Sequence, residues 1–434
     1  MSIRYFIEKF KDETKVIKEK VDKKLEVSKI LLENMEKIVL FENLSGYKAV
    51  GNIWSTRERI AKSFGIRKED IMKKLLESMK NPEPPEIVAN APFFENIHEK
   101  GKFDLRKLPI PTYYPQDAGP YITSGVVIAE DGKKRNMSFH RLLVLNENKF
   151  AIRLVPRHLY AMHKKALAEN RDLPIAIAIG LCPSILLPAA MSVDFDTDEL
   201  TISNSLRRRT LGKGIELTRI KNGTAVPTYA EYVLEGRITK ENTKEGPFVD
   251  ITGTYDEVRE QPVVEIDRVY HRNDPIFHLL MPGGYEHYLL MGMPREPIIY
   301  DYVRGVVPKV HAVRLTEGGC CWLHGVVSIE PQKQGDGKNA IMAALAAHPS
   351  MKQVIVVDKD IDIFNDREVE WAVATRFQAD GDLVVINNAA GSSLDKSSRH
   401  GITSKVGIDA TMPIKRENEF LKAKIEEVIS GYYR

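Results

Sequence analysis

Residues 121–158 read YITSGVVIAEDGKKRNMSFHRLLVLNENKFAIRLVPRH. Apolar and polar positions alternate with the period of two that marks half-buried strands. Glu130-Asp131-Gly132 and Asn146-Glu147-Asn148-Lys149 punctuate the runs as turns. The stretch predicts an antiparallel meander. At its centre, KKRNMSFHR (133–141) places three cations before an Asn, a Ser, a His and an Arg set among apolar residues. It is either a solvated basic strand end or a strand that aims Asn136 and Arg141 at something. Lys133, Lys134 and Arg135 read as solvated.

Working outward, PIAIAIG (174–180), AEYVLEGRI (230–238) and VVEIDRVYHR (263–272) are further β-runs, with RHLYAMHKKALAEN (157–170) as one interrupting helix. Residues 106–297 are thus expected to form an antiparallel barrel with insertions. Residues 1–105 read mostly helical. The clearest case is KSFGIRKEDIMKKLLESMKNPEPPEI (62–87), with an apolar stripe at Ile71, Leu75 and Leu76 and a stop at Asn81-Pro82. The Pro-rich KLPIPTYYPQDAGP (107–120) excludes regular structure and marks a boundary. Residues 298–434 alternate strand-like and helix-like runs, which predicts a parallel α/β sheet. The tail KRENEFLKAKIEEVISGYYR (415–434) reads as an amphipathic helix.

The 434 residues carry 63 basic and 60 acidic side chains, a net charge of +3. That balance gives no support to nucleic-acid binding, although local basic clusters can hold a small anion. Cys182, Cys320 and Cys321 form no C-x-x-C motif, so neither a disulfide framework nor a thiolate metal site is expected. Cys320-Cys321 read as buried structural residues, and the reducing cytosol is the simplest compartment. The N-terminus MSIRYFIEKFKDETK lacks the pattern of a signal peptide, and no apolar run approaches the roughly 20 residues of a membrane span. The Lys/Glu/Ile-rich composition hints at a thermophilic or archaeal source.

Several constellations could carry chemistry. Asn136, His158 and Glu199 offer oxygen and nitrogen donors suited to Mn²⁺ or Mg²⁺, or are ordinary polar residues at element ends. In KEGPFVDITGTY (244–255), Gly246-Pro247 separates Glu245 from Asp250. With Arg141 these two acids make an acid–base device, and without it they make a solvated turn. SKVGIDATMP (404–413) follows the small-residue loop NNAAGSSLDKSSRHG and carries Lys405. It reads as a phosphate loop or as a plain surface loop. Arg207, Arg208, Arg209 and Lys213 could meet an anion or be solvated. DREVEWAVATRF (366–377) reads as a packing helix.

These segments together resemble the UbiD family of decarboxylases, which use prenylated FMN. The resemblance runs from about residue 48 to 412 through NMSFHR, NKFAIR, the LEG and EGPF-x-D pair, D-x-D-I-x-N-x-x-E-V-x-W-A and SK-x-GIDAT. It implies a central split β-barrel of flavin-reductase type, flanked by an N-terminal α/β domain (1–105) and a C-terminal α/β oligomerisation domain (298–434). It implies divalent-metal ligands Asn136, His158 and Glu199, with K⁺ near Ala189 and Met191. The cofactor-binding residues it implies are Asn136, Ser138, Phe139, His140, Arg141, Arg153, Leu154, Val155, His158 and Lys405. The catalytic set it implies is Glu245, Arg141 and Asp250. Arg141 orients the substrate carboxylate, and Asp250 returns a proton to carbon once CO₂ has left. A flavin prenyltransferase supplies the cofactor, and the chain assembles as a dimer or hexamer.

The chain looks like the compact archaeal branch of that family. The implied reaction there is decarboxylation of trans-anhydromevalonate 5-phosphate to isopentenyl phosphate in isoprenoid synthesis. Arg157, the Arg207–Arg209 run and Lys213 are candidate cations for the substrate phosphate. The alternatives are an aromatic acid decarboxylase acting on 4-hydroxybenzoates, with or without a polyprenyl chain, and a flavin carrier without turnover.

Overall fold

The computed structural model describes residues 1–132, 134–420 and 422. Most of the tail helix expected over 415–434, and Lys133, lie outside them. The chain divides into two compact units. One is Met1–Pro297 with Cys320–Trp322; the other is Ile298–Gly319 with Leu323–Arg434.

The first unit is built on an antiparallel sheet whose strand order explains the site. Val126–Asp131 pairs with Lys134–Phe139 as a hairpin, as the Glu130-Asp131-Gly132 turn predicts. Leu142–Val144 pairs with Lys149–Ile152 across the next turn. The two hairpins are not neighbours, however. Lys134–Phe139 ends the strand order at one side, while Leu142–Val144 lies next to the last strand, Tyr121–Ile122, at the other. The expected meander is therefore broken after Phe139. Only His140 and Arg141 separate strands at the two ends of the order, so the sheet must curl on itself to bring its ends together. Leu173–Ile179, Tyr232–Glu245 and Arg259–His271 fill the middle, each pairing antiparallel with its neighbours. Their β-branched and aliphatic runs are buried on the inner face: Ile175, Ile177, Ile179, Leu234, Ile238, Val264 and Ile266 join one core.

That core continues into the N-terminal residues, which the mostly helical expectation undercounts. A four-stranded sheet runs Thr14–Ile17, Ile38–Leu44, Tyr47–Gly51, Ile276–Leu279. Its last strand comes from beyond the central sheet and pairs parallel to Tyr47–Gly51. The helix Ile71–Lys80 ends at Asn81, as its stop predicts; of the expected stripe Ile71 and Leu75 are buried, while Met72 takes the place of Leu76, which is half-buried. Ile110 and Tyr113 of the Pro-rich segment, with Leu105 just before it, also enter the core, despite its lack of strands.

The second unit has a five-stranded sheet in the order Val310–Leu315, His324–Ile329, Gln353–Asp358, Ile402–Ala410, Leu383–Ala390. Only its two central pairings are parallel. Both edge strands run antiparallel, which corrects the all-parallel expectation. The edges are joined to their neighbours by loops over 316–323 and 391–401 rather than by crossover α-helices. Asp366–Arg376 packs Val369 and Ala372 into this unit's core, as the packing-helix reading requires. Among the described residues no helix is long and apolar enough to cross a membrane.

Candidate active site

The bend after Phe139 places Arg141 among acids that are far away in sequence. Its Nε and Nη2 donate to Glu245 at 2.8 and 2.9 Å, a bidentate pair. Nη1 donates to Asp250 at 2.8 Å, and Nη2 also reaches Asp256 at 3.0 Å. The guanidinium lies 4.7 Å from the ring centroid of Phe248, which covers one face of it. Burial works against its charge, but Glu245 and the other two acids outweigh that and raise Arg141 above its ordinary range. Glu245 ends the long strand Tyr232–Glu245; Asp250 sits in the turn of the hairpin Phe248–Val249/Tyr255–Asp256. The turn of the chain between them is sharp. Gly246 has φ +95° and a Cβ there would meet the Glu257 carbonyl oxygen at 2.9 Å, so glycine is required. The Gly246–Pro247 peptide is cis.

The acids differ in access. The Glu245 side chain is 0 % exposed and that of Asp250 is 23 % exposed. Asp250 is thus the acid a small molecule can reach. Burial disfavours the Asp256 carboxylate, but a hydrogen bond from Arg259 and the charge of Arg141 hold it below the usual range. Arg153 Nε also lies 3.9 Å from Asp256, so three guanidiniums, those of Arg141, Arg153 and Arg259, face the three carboxylates.

Four contributors carry no sequence signal. Asp256 sits in a charged run that reads as surface. Tyr121 donates to Glu245 at 3.1 Å and accepts the Gly246 N–H at 3.2 Å from 124 residues away. Gln261 accepts the Leu154 N–H at 2.7 Å. His287 accepts the Gly283 N–H at Nδ1, 3.2 Å. Burial keeps His287 neutral, against the opposing charge of nearby Asp250. The loop carrying Asp250 packs directly on Gly283, whose Cβ would lie 3.3 Å from Gly253 Cα.

Asn136, His158 and Glu199 come together on three elements. Asn136 Nδ2 and the Met137 N–H donate to the two Glu199 oxygens at 3.0 and 2.9 Å. His158 Nδ1 lies 3.7 Å from Glu199 Oε1. Glu199 opens the helix Glu199–Leu211, whose cap Asp198 is tied by Arg135. Arg135 is therefore a mostly buried ion-pair partner rather than a solvated cation, whereas Lys134 is exposed.

The donor set fits a hard cation. His140 is pushed down to about 4 by burial, so its ring is neutral. Its Nδ1–H donates to the Arg153 carbonyl at 2.8 Å, which leaves Nε2 as an acceptor. Ser138 has one hydroxyl proton and two acceptors at 3.0 Å, His140 Nε2 and Asn136 Oδ1. Given to His140, that proton leaves Asn136 Oδ1 free beside a buried carboxylate. Such a pair favours a divalent cation.

Arg153, Leu154 and Val155 follow the strand Lys149–Ile152; Leu154 is buried and Val155 is exposed. Ala189 and Met191 are buried at the end of helix Pro183–Ala189. Arg208 and Arg209 are drawn to Glu83, roughly 14 Å along the helix from Glu199 at 1.5 Å per residue. Lys405 belongs to the second unit. SKVGIDA is strand there, not a phosphate loop, and the Lys405 ammonium donates to the carbonyls of Pro349 and Met351. Cys321 is buried as expected, whereas Cys320 is half-buried; partial burial pushes the Cys320 thiol up, away from a thiolate.

Sequence profiles match almost end to end. The N-terminal, Rift-related and C-terminal domains of 3-octaprenyl-4-hydroxybenzoate carboxy-lyase match residues 8–79, 86–285 and 288–410. The chain belongs to the UbiD family. Its relatives include the anhydromevalonate phosphate decarboxylase of Methanocaldococcus jannaschii, 47 % identical, with 95 % of this chain and 97 % of that one covered. The enzyme of the same name from Methanothermobacter thermautotrophicus is 43 % identical, covering 98 % and 100 %. Among solved structures, the UbiD-class enzyme HmfF from Pelotomaculum thermopropionicum, in complex with FMN, superposes with a TM-score of 0.95 at 38 % identity, covering 99 % and 98 %. The protein is accordingly a UbiD-class carboxy-lyase.

Proposed function

We propose that the protein decarboxylates trans-anhydromevalonate 5-phosphate to isopentenyl phosphate and CO₂ with prenylated FMN. The observation that carries the chemistry is the Arg141 cluster, in which one guanidinium holds a buried Glu245 and an accessible Asp250. The choice of substrate is supported by full-length relatives of that name at 43 % and 47 % identity. Prenylated FMN has a solved precedent in a complex of HmfF, which is 36 % identical with a TM-score of 0.90.

The strand ends Phe139 to Arg141 and Arg153 to Val155 would hold the flavin. Asn136, His158 and Glu199 would hold Mn²⁺ or Mg²⁺, with K⁺ near Ala189 and Met191. When bound, the flavin would supply the sink for the electron pair left on carbon as CO₂ departs. The rest falls to the chain's own residues. A substrate carboxylate competes for Arg141 Nη1, whose partner Asp250 is the exposed one. Displaced, Asp250 takes up a proton from solvent, to which its side chain is 23 % exposed, and delivers it to carbon. Glu245 stays on the guanidinium and fixes its orientation. Phe248 and Tyr121 keep water from this charge cluster, where electrostatic effects are strongest.

The architecture in this reading is a split barrel of flavin-reductase type over 106–297, between α/β domains over 1–105 and 298–434. The last of these mediates assembly into a dimer or hexamer. The enzyme works in the cytoplasm and receives its cofactor from a flavin prenyltransferase.

Carbon dioxide release by purified holoenzyme tests the proposal. Release from trans-anhydromevalonate 5-phosphate is expected. Release from 4-hydroxybenzoates alone would instead make it an aromatic acid decarboxylase.

A further inference from the structure

The three adjacent arginines 207–209 divide between surface and interior. Arg208 and Arg209 reach Glu83. Arg207 is only 9 % exposed. Elsewhere in this unit Arg57 donates to Glu296 at 2.9 and 2.5 Å, and Arg141 holds three acids. Arg207 has no such partner. Among the described residues its guanidinium makes no hydrogen bond, ion pair or aromatic contact, and its Nε is buried.

Arg207 lines a cavity that joins it to a second unsatisfied group. Leu181, Ile185 and Ile215 form apolar walls, and Thr228 brings a hydroxyl. Thr228 is 2 % exposed, and its Oγ1 also lacks a hydrogen-bond partner among the described residues. Two buried polar groups without partners thus share one space, although such groups are normally bonded. Local structure brings them there. Arg207 lies two turns along the helix that Glu199 opens. Thr228 follows the strand Ala225–Pro227, which pairs with Glu216–Arg219, and its N–H donates to the Glu216 carbonyl at 3.0 Å. Glu216 supplies the one carboxylate among the described residues that line the cavity; it is exposed and forms no ion pair with Arg207. Neither the Arg141 cluster nor the set Asn136, His158 and Glu199 lines this space.

Size and charge narrow the occupant. The cavity measures about 10 Å³, room for a single water-sized body. A water there would accept from Arg207 Nε–H and Thr228 Oγ1–H but leave the guanidinium charge uncompensated, and a buried charge needs a counter-charge. A phosphate or an organic carboxylate is too large. A halide ion is close to water in size, accepts N–H and O–H donors from any direction and carries the missing charge.

We infer that Arg207 and Thr228 form a site for a chloride ion, held by Nε–H and Oγ1–H between apolar walls. The site is independent of the decarboxylation reading. Chloride stabilises the folded chain by mass action, because the unfolded chain has no such cavity.

The test uses the flavin-loaded protein. Its unfolding midpoint is read in sodium chloride and in sodium gluconate at equal ionic strength, gluconate being too large to enter. Expected is a higher midpoint in chloride that rises with concentration as one site fills. The chloride effect should vanish in Arg207→Met and shift to severalfold higher concentration in Thr228→Val. Glu216→Gln, at an exposed position, should bind chloride severalfold more tightly, because a repelling charge is gone. Crystals soaked in bromide should show an anomalous peak between Arg207 and Thr228. Equal midpoints in chloride and gluconate would overturn the inference, as would a chloride effect that Arg207→Met and Thr228→Val leave intact. A bromide-soaked cavity holding only water would overturn it too. Should Arg207→Met not fold, Glu216→Gln and the bromide peak decide, and a chloride affinity that Glu216→Gln fails to raise counts against the site.

Discussion

Arg141 and Arg295 are both buried arginines of the first unit, and they are opposites. Arg141 is saturated, with three carboxylates on its guanidinium and an aromatic ring beneath it. Arg295 has an aromatic ring beside it but, among the described residues, no acid paired with it. The saturated arginine needs no ligand to be stable, so it is preorganised and can exchange its one accessible partner, Asp250.

The comparison can be broken at several points. The largest effect is expected from Asp250→Asn, which keeps the shape but not the proton. Turnover should fall by about 10²–10⁴-fold, the usual worth of a positioned acid, with flavin content retained. Retained turnover would mean the protonation lies elsewhere, and a flavin carrier would show no change in any function. Next, Arg141→Met strips the cation from a fully buried Glu245. A buried pair broken on one side costs about 3–5 kcal/mol, so the denaturant midpoint should drop sharply. A variant as stable as wild type would contradict the saturated picture.

His140 gives a pH signature. Its folded value of about 4 lies below the ordinary 6.5, so only the unfolded chain takes up this proton between those values. Stability from this group is complete above pH 6.5, falls as the pH drops toward 4 and changes no further below. The loss is about 3 kcal/mol over the window at 1.36 kcal/mol per pH unit. The variant His140→Asn should lose that much less between pH 7 and pH 4. Equal losses in the two proteins would show that His140 titrates normally when folded. The smallest effect is at Tyr121→Phe, which removes one donor from a Glu245 still held twice by Arg141. About 1–2 kcal/mol of stability and a modest fall in turnover are expected.

How much of this was legible varies by residue. The hairpin turn at Glu130-Asp131-Gly132, the stop of the Ile71–Lys80 helix and the strand runs follow from local chemistry. Each is set by residues within a few positions of one another. Glu245, Arg141 and Asp250 were reachable only through resemblance, because spacing alone favoured a solvated turn. Asp256 and Tyr121 were not reachable at all. A Tyr-Asp-Glu-Val-Arg run looks like surface, and nothing near Tyr121 announces a partner 124 residues on. Lys405 looked like a loop cation and is a strand residue, since its small-residue surroundings pair on both sides.

By itself, then, the amino-acid order determined the elements, their punctuation and the polar residues available, since periodicity and turn chemistry act over short range. Tertiary structure alone decided that the two ends of the central sheet meet at His140 and Arg141, and that Arg295 is buried without an acid while Glu296 finds one. Both outcomes depend on which distant strands and helices pack together, and burial, not identity, sets what a charge costs and what it must pair with.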